Sequence, residues 1–497
     1  MKTHSTTLSC ALLTLWALCC AGCTHRIALP KPAQPLVPTK PVAALTHAPA
    51  SAVPEQPSLP KVRAFRLANG LMLYALESHA FGHVSAAFVN LRGGENLNDL
   101  EQAGLPSLIT QTLLASADTR DGPPSTPSTP LSQSGPESPI LIRFGGITRR
   151  HTAVIGTTVE SRFLEQALSS MAQLVRTPTL DERTLARARK RARADWDEER
   201  GGVRGIALNH INQRLYGPGH VLGQHADMAI KRLDAHDLAQ VIAGHRTRYV
   251  PAASAVVLVG DFDPVAASEL INQHFGGWKS DFEAPRTYAK PDWQPRGKRK
   301  IFLHTRIRVA HIALGQHAPG PSDPDYVATE VLTQLLGGSF SSRLMTRLRG
   351  ETGLAYSVGT LLYPRRDGSL LTIETEVARD DAEEALTLVG AEVRKLRDGQ
   401  VTEEELGRVV STLRQQAIAR YERPSSGLAA LCEDLELGMD PVLRPATYLK
   451  QLEELTTAQL SATAKRVLKP QAPVVIVGDM RQVGDLGRWA ASDDEDL

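Results

Sequence analysis

The chain has 497 residues, a formal net charge of +2, and 42% hydrophobic and 22% charged residues. That length exceeds what one hydrophobic core supports and predicts at least two globular domains. A near-neutral balance with 5% aromatics argues against a nucleic-acid partner, which needs a basic surface or stacking platforms.

Met1-Lys2 opens a weakly basic segment, and Ala11 to Leu18 is an apolar run too short to span a bilayer as a mature helix. It ends in Cys20-Ala-Gly-Cys23. Small residues leading to a cysteine resemble a lipoprotein signal, although Cys20 stands where Leu is usual. The resemblance implies export, removal of the leader and lipidation of Cys23, so residues 1–23 are set apart from the fold. Four of the five cysteines lie at or before Cys23, and Cys432 alone remains. An exported domain with one cysteine has no internal disulfide framework. Cys432 is expected to be a small buried apolar side chain.

Residues 24–61 are rich in Pro, Ala and Thr without hydrophobic periodicity and read as an extended tether. Strands are expected at Leu71 to Leu76 and Val84 to Val89, and a helix from Pro106 to Leu114. A Pro/Ser/Thr-rich stretch from Gly122 through Pro139 reads as a surface loop. A helical stretch, Asp234 to Ala243, precedes the apolar strand Val256-Val-Leu-Val-Gly-Asp261. Residues 286–298, Pro-rich and charged, read as a linker between domains at 62–285 and 299–497.

The second half repeats the first. Strands are expected at Ile312 to Gly315 and Leu370 to Val377, with a helix from Tyr326 to Leu336. Helix Thr457 to Val467 precedes Val474-Val-Ile-Val-Gly-Asp479, which returns the motif ending at Asp261. The pattern predicts an α+β fold of two homologous domains, each a mostly antiparallel sheet with helices packed on one face.

Several segments resemble the insulinase/pitrilysin-like zinc metallopeptidases, the family of the mitochondrial processing peptidases. They are Arg66-Leu-Ala-Asn-Gly-Leu-Met-Leu, Asn90-Leu-Arg-Gly-Gly-Glu-Asn, Gly104-Leu, Arg246-Thr-Arg-Tyr-Val-Pro and Val259-Gly-Asp-Phe. In the second half they are Leu336-Gly-Gly-Ser-Phe-Ser-Ser-Arg-Leu and Leu348-Arg-Gly-Glu-Thr-Gly-Leu-Ala-Tyr-Ser-Val. Their order and spacing across residues 62–485 carry the resemblance.

That family's chemistry needs His-x-x-Glu-His on a helix: two histidines one turn apart hold zinc, and the glutamate is base to the metal-bound water. Aligning Gly104-Leu105 puts Ser107 and Gln111 at the histidine positions and Thr110 at the glutamate. None replaces the group it stands for. The distant glutamate ligand is expected in the basic run Ala186 to Arg193; Glu198 and Glu199 could shift into place there but would have no histidines to join. The pair His79 and His83 has ligand spacing but lies in a turn with Gly82 at the base position. The loop Tyr216-Gly-Pro-Gly-His220, with His225, is similar to a family loop beside the substrate cleft.

The resemblance assigns Arg349 and Tyr356 to substrate binding and oxyanion stabilisation, and Gly337, Gly338, Ser339 and Phe340 to the substrate backbone. It implies a zinc-lacking subunit with no cofactor of its own. Its partner would be a subunit bearing the His-x-x-Glu-His motif and the zinc, its ligand a peptide, and the membrane would be reached through the N-terminal lipid in the periplasm. A non-enzymatic scaffold of the same fold and a peptidase with an unusual metal site are the alternatives. The bland account of the pair has Arg349 bound to Glu351 and Tyr356 packed in a sheet.

Replacing Cys23 by Ala is expected to release the chain from the membrane fraction or leave it unprocessed. A Cys23→Ala chain that is cleaved normally and still sediments with membranes would overturn the lipid anchor.

Overall fold

The computed structural model describes residues 59, 61–95, 100–117, 142–200, 202–224, 226–280, 299–305, 309–469 and 472–479. The leader with Cys23, nearly all of the tether, the Pro-rich loop, His225 and the linker 286–298 lie outside them, as do the side chains of Glu198 and Glu199.

The first half runs through strands β1 (Val62–Arg66), β2 (Met72–Glu77) and β3 (His83–Asn90) to helix α1 (Leu105–Ala117). Strands β4 (Gly145–Thr148) and β5 (Ala153–Glu160) follow, then helices α2 (Leu164–Arg176), α3 (Glu182–Arg200), α4 (Gly202–Tyr216), α5 (Ala226–Ala235) and α6 (Leu238–Arg248). Strand β6 (Ser254–Gly260) and helix α7 (Pro264–Phe275) close it. The second half contains β7 (Lys300–His304), β8 (Val309–Ala318), α8 (Tyr326–Thr333), β9 (Ala355–Tyr363) and β10 (Ser369–Ala378). Helices α9 (Ala382–Arg397), α10 (Glu403–Ala419), α11 (Pro424–Leu437), α12 (Arg444–Glu453) and α13 (Thr457–Val467) lead to β11 (Val474–Gly478).

The first sheet has the order β1-β2-β6-β3-β5-β4 and the second β7-β11-β8-β10-β9. In each, one parallel pair sits among antiparallel neighbours: β2 with β6, and β7 with β11. Gly260 lies opposite Glu77, and Gly478 opposite His304. The two expected α+β halves are therefore copies of one topology, with β1 the additional strand. The helix expected across 234–243 is broken, because Asp237 caps α6 through Gln240 N–H in a capping box.

Both faces of both sheets are apolar. In the first, Leu73, Ala75, Val84, Phe88, Val256 and Leu258 join the core under α1, α2 and α7. Their alternates Leu76, Ala87, Val89, Val257 and Val259 form a second cluster with Leu431, Cys432 and Leu435 of α11, from the other half. The second sheet mirrors this. Ile312, Ile373 and Ile476 face its own helices, while Ala313, Leu370, Val475 and Val477 pack on Ala207, Ile211, Leu215 and Tyr216 of α4, from the first half. Helices thus cover one face of each sheet from within the half, and the other half supplies the cover for the opposite face. Cys432 is buried in this contact, the apolar role its sequence context predicts.

Each exchanged helix meets its sheet at a glycine. A Cβ on Gly315 of β8 would stand 2.3 Å from Ile211 Cγ2, and one on Gly427 of α11 would stand 3.0 Å from Val259 Cγ1. Polar contacts add direction. Arg204 donates from Nε to Glu374 Oε2 at 2.6 Å, and Glu436 accepts from His151 N–H at 3.0 Å and the Thr152 hydroxyl at 2.6 Å. Gly315→Ala is therefore expected to destabilise the chain by about 1–3 kcal/mol through overpacking against Ile211. Equilibrium denaturation checks it, and an unchanged midpoint would mean that α4 moves off the sheet at no cost.

Candidate functional site

Helix α1 carries Ser107, Thr110 and Gln111, the three residues that the sequence resemblance aligns with the zinc motif. Gly104, at φ +82°, turns the chain into it. The Glu95 carboxylate then accepts from Gly104 N–H at 3.1 Å and Ser107 N–H at 2.9 Å, a carboxylate at the positive end of a helix. Desolvation raises the Glu95 pKa, and these hydrogen bonds with the charge of Arg248 offset only part of that rise. Leu105, Leu108, Ile109 and Leu113 seat the helix in the core.

Thr110, at the base position, is fully buried. Its hydroxyl donates to Pro106 O at 3.1 Å, accepts from the Thr148 hydroxyl at 2.9 Å and lies 3.4 Å from the Tyr249 hydroxyl. Burial pushes the Tyr249 phenol up to about 12, so it stays neutral. Gln111 donates from Nε2 to Asp195 Oδ2 of α3 at 3.1 Å. The acid opposite the second histidine position is thus Asp195, and the basic run does not stand there: Arg193 pairs with Asp234, and Arg189 donates to His236 O at 2.7 Å. Asp195 was legible as the next acid on the same helix, but only the packing of α3 against α1 singles it out.

The residues present do not fit zinc. Tetrahedral sites take imidazole, thiolate or carboxylate ligands, three or four converging. Here one carboxylate meets an amide, and the neighbouring hydroxyls bind one another. Among the described residues no group of three or more His, Cys, Asp or Glu side chains is placed to hold a metal ion. His79 is held by Asp261 at 2.5 Å and Glu77 at 2.9 Å, while His83 Nδ1 lies 2.6 Å from Phe81 O, so the two histidines are engaged separately.

The second half presents a different constellation. Two short π-helical turns, Gln334–Gly338 and Met345–Glu351, flank the glycine-rich loop, a geometry frequent at functional positions. Gly337 is buried, and a Cβ there would lie 2.3 Å from Thr360 Oγ1 and 2.8 Å from Thr360 N, so its small size serves the approach of the turn to β9. At Gly338 a Cβ would meet the Gln334 side chain. Ser339 and Ser341 hydroxyls lie 3.4 Å apart. Arg343 pins the loop, donating to both Glu405 oxygens at 2.9 and 2.7 Å.

Arg349 projects from the second turn with its guanidinium 5.0 Å from the Tyr356 ring and 5.9 Å from the Phe340 ring. Three of the residues singled out in the sequence meet here. Phe340 is 84% and Tyr356 82% exposed, an unusual cost for two aromatics without an external partner. Glu351 pairs with Arg347, so the bland account of Arg349 as its ion-pair partner does not hold. Tyr356 is the second residue of β9 and is exposed to solvent.

Residues 237–413 match the family described as Peptidase M16 inactive domain. The chain is a homologue of the M16 peptidases. It is 26% identical over 266 residues to an uncharacterized zinc protease of Mycobacterium tuberculosis, covering 53% of this chain and 60% of that one. It therefore spans about three fifths of the length of such relatives. It is 27% identical over 193 residues to the mitochondrial-processing peptidase subunit alpha of Caenorhabditis elegans, 36% of each. The structure of a peptidase M16 inactive domain from Pseudomonas fluorescens superposes with a TM-score of 0.68 at 21% identity, covering 84% of this chain and 97% of that one. That last likeness concerns the M16 fold.

Helix α1 in this M16 homologue is a structural element. The purified chain is expected to retain no stoichiometric zinc after dialysis and to cleave no peptide alone. Elemental analysis showing one tightly held zinc per chain, with proteolysis that a chelator abolishes, would overturn this.

Proposed function

We propose that the chain is the non-catalytic subunit of an exported, membrane-tethered M16 zinc endopeptidase. It lends substrate binding and oxyanion stabilisation to a partner subunit that carries His-x-x-Glu-His and the zinc. The observation that carries the proposal is the contrast between the two halves. Thr110 and Gln111 are absorbed into internal hydrogen bonds, whereas Arg349, Tyr356 and Phe340 are gathered and offered to solvent.

A guanidinium and a phenol are hydrogen-bond donors suited to a carbonyl oxygen that gains negative charge. Packing against two rings orients the Arg349 guanidinium before substrate arrives. The loop Gly337 to Phe340 is the proposed seat of the substrate backbone. The zinc, when supplied by the partner, polarises water and carbonyl. The named relative from Caenorhabditis elegans is itself a subunit, which accords with a paired assembly. Lipidation at Cys23 and a periplasmic location belong to the same proposal.

Mixing the chain with its zinc-bearing partner should create peptidase activity that neither shows alone. Tyr356→Phe removes one hydroxyl donor and should lower the rate of the assembled pair by about 10²–10³, with Arg349→Ala costing at least as much. Gln111→Ala should leave the rate nearly unchanged. Size-exclusion chromatography establishes that each variant still pairs. Full activity in a well-assembled Tyr356→Phe, Arg349→Ala double variant would reduce the chain to a scaffold.

A further inference from the structure

The seam between the two halves holds a buried cation that has no counter-ion among the described residues. Arg365 sits in the loop between β9 and β10 and is 6% exposed. Its loop is packed on Gly320, where a Cβ would lie 2.9 Å from Arg365 O. The guanidinium crosses to the first half. There it lies 4.9 Å from the ring of Tyr216, at the end of α4, and Nη2 reaches Asn212 Oδ1 only at 3.5 Å. Nε and Nη1 are buried with no hydrogen-bond partner.

The surroundings add positive charge. Among the described residues, the ionic group that acts on Arg365 is Arg150, and it repels. Arg366, Arg150, Arg365 and His220 all act on the buried His151 and, after its desolvation, help push it down to about 3. The carboxylate buried in this part of the seam, Glu436, is taken by the His151 N–H and the Thr152 hydroxyl. The charges that act on it are Arg366 and Arg149.

A guanidinium keeps its proton in a protein, and an uncompensated buried charge is strongly destabilising. Stacking on Tyr216 recovers part of that cost. Trapped waters would satisfy the two free N–H groups but leave the charge unbalanced. An anion does both, and guanidinium groups favour oxyanions.

We propose that the seam is a binding site for a small inorganic oxyanion of the phosphate type, with Arg365 as its principal ligand. The anion ties the β9–β10 loop of the second half to α4 of the first. It therefore acts as a removable link between the halves, separate from the Arg349 constellation.

The test uses the whole chain. Thermal unfolding is followed in sodium phosphate and in sodium chloride at matched ionic strength, for wild type and Arg365→Met, which keeps an apolar stem of similar length. Phosphate should raise the wild-type Tm saturably by a few degrees over chloride, and the rise should vanish in Arg365→Met. An equal rise in wild type and Arg365→Met would mean that phosphate acts only by exclusion from the surface and would overturn the site. If Arg365→Met does not fold, calorimetric titration of phosphate into the wild-type chain decides. Saturable one-site binding supports the proposal, and the absence of heat at millimolar phosphate overturns it. The same titration with a phosphorylated serine peptide tells a free anion from the phosphate of a larger ligand, since a buried site should admit only the free ion.

Discussion

Each half of this protein covers the outer face of the other half's sheet with a helix, and the rest of the structure follows from that exchange. A sheet of Val, Ile and Leu on both faces is stable only when both are covered. The helices of one half supply one layer; the second layer is α4 for the second sheet and α11 for the first. Neither half is therefore complete alone. Burying Ile211, Leu215 and Tyr216 on one side and Leu431 and Leu435 on the other contributes about 1.5–3 kcal/mol per large side chain. It also fixes the halves at one separation, because Gly315 allows a contact too close for a larger residue and Gly427 a tight one.

With the frame fixed, the two halves have taken different courses. In the first, the helix held by Glu95 is a core element whose polar side chains bond inward. Thr110 shares its hydroxyl with Pro106, Thr148 and Tyr249, and Gln111 is spent on Asp195. In the second, the matching region is drawn into two π-helical turns that push Phe340 and Arg349 outward beside Tyr356. Leaving such aromatics wet around a cation brings the free chain no stability, which is what supports the proposed recognition role. The M16 fold thus persists around residues 107, 110 and 111 that do not suit a zinc site.

The same seam explains the polar groups buried between the halves. Glu436 closes the first half's β4–β5 turn against α11, and Arg204 closes α4 against Glu374. Both bonds satisfy charges within the contact. Arg365 departs from that pattern, and the departure is what distinguishes a structural ion pair from a place awaiting a ligand.

Much of this was legible in the chain. Alternating and continuous apolar runs marked the central strands, and the returning Val-Gly-Asp motif marked the duplication, because a buried strand leaves a strong local hydrophobic signal. The absence of histidine at residues 107 and 111 was also plain, since ligand chemistry depends on residue type. Three things were decided only by tertiary packing. Edge strand β4, Gly-Gly-Ile-Thr, has too little side chain to show a period. Asp195 faces Gln111 because α3 packs on α1, a contact across 84 residues that no local pattern encodes. The mutual covering of the sheets could not be read from α4 or α11 either. An amphipathic helix records that it has an apolar face, not which surface that face will meet; the choice is made by the shape of the partner sheet, at Gly315 and Val259, once both halves have folded.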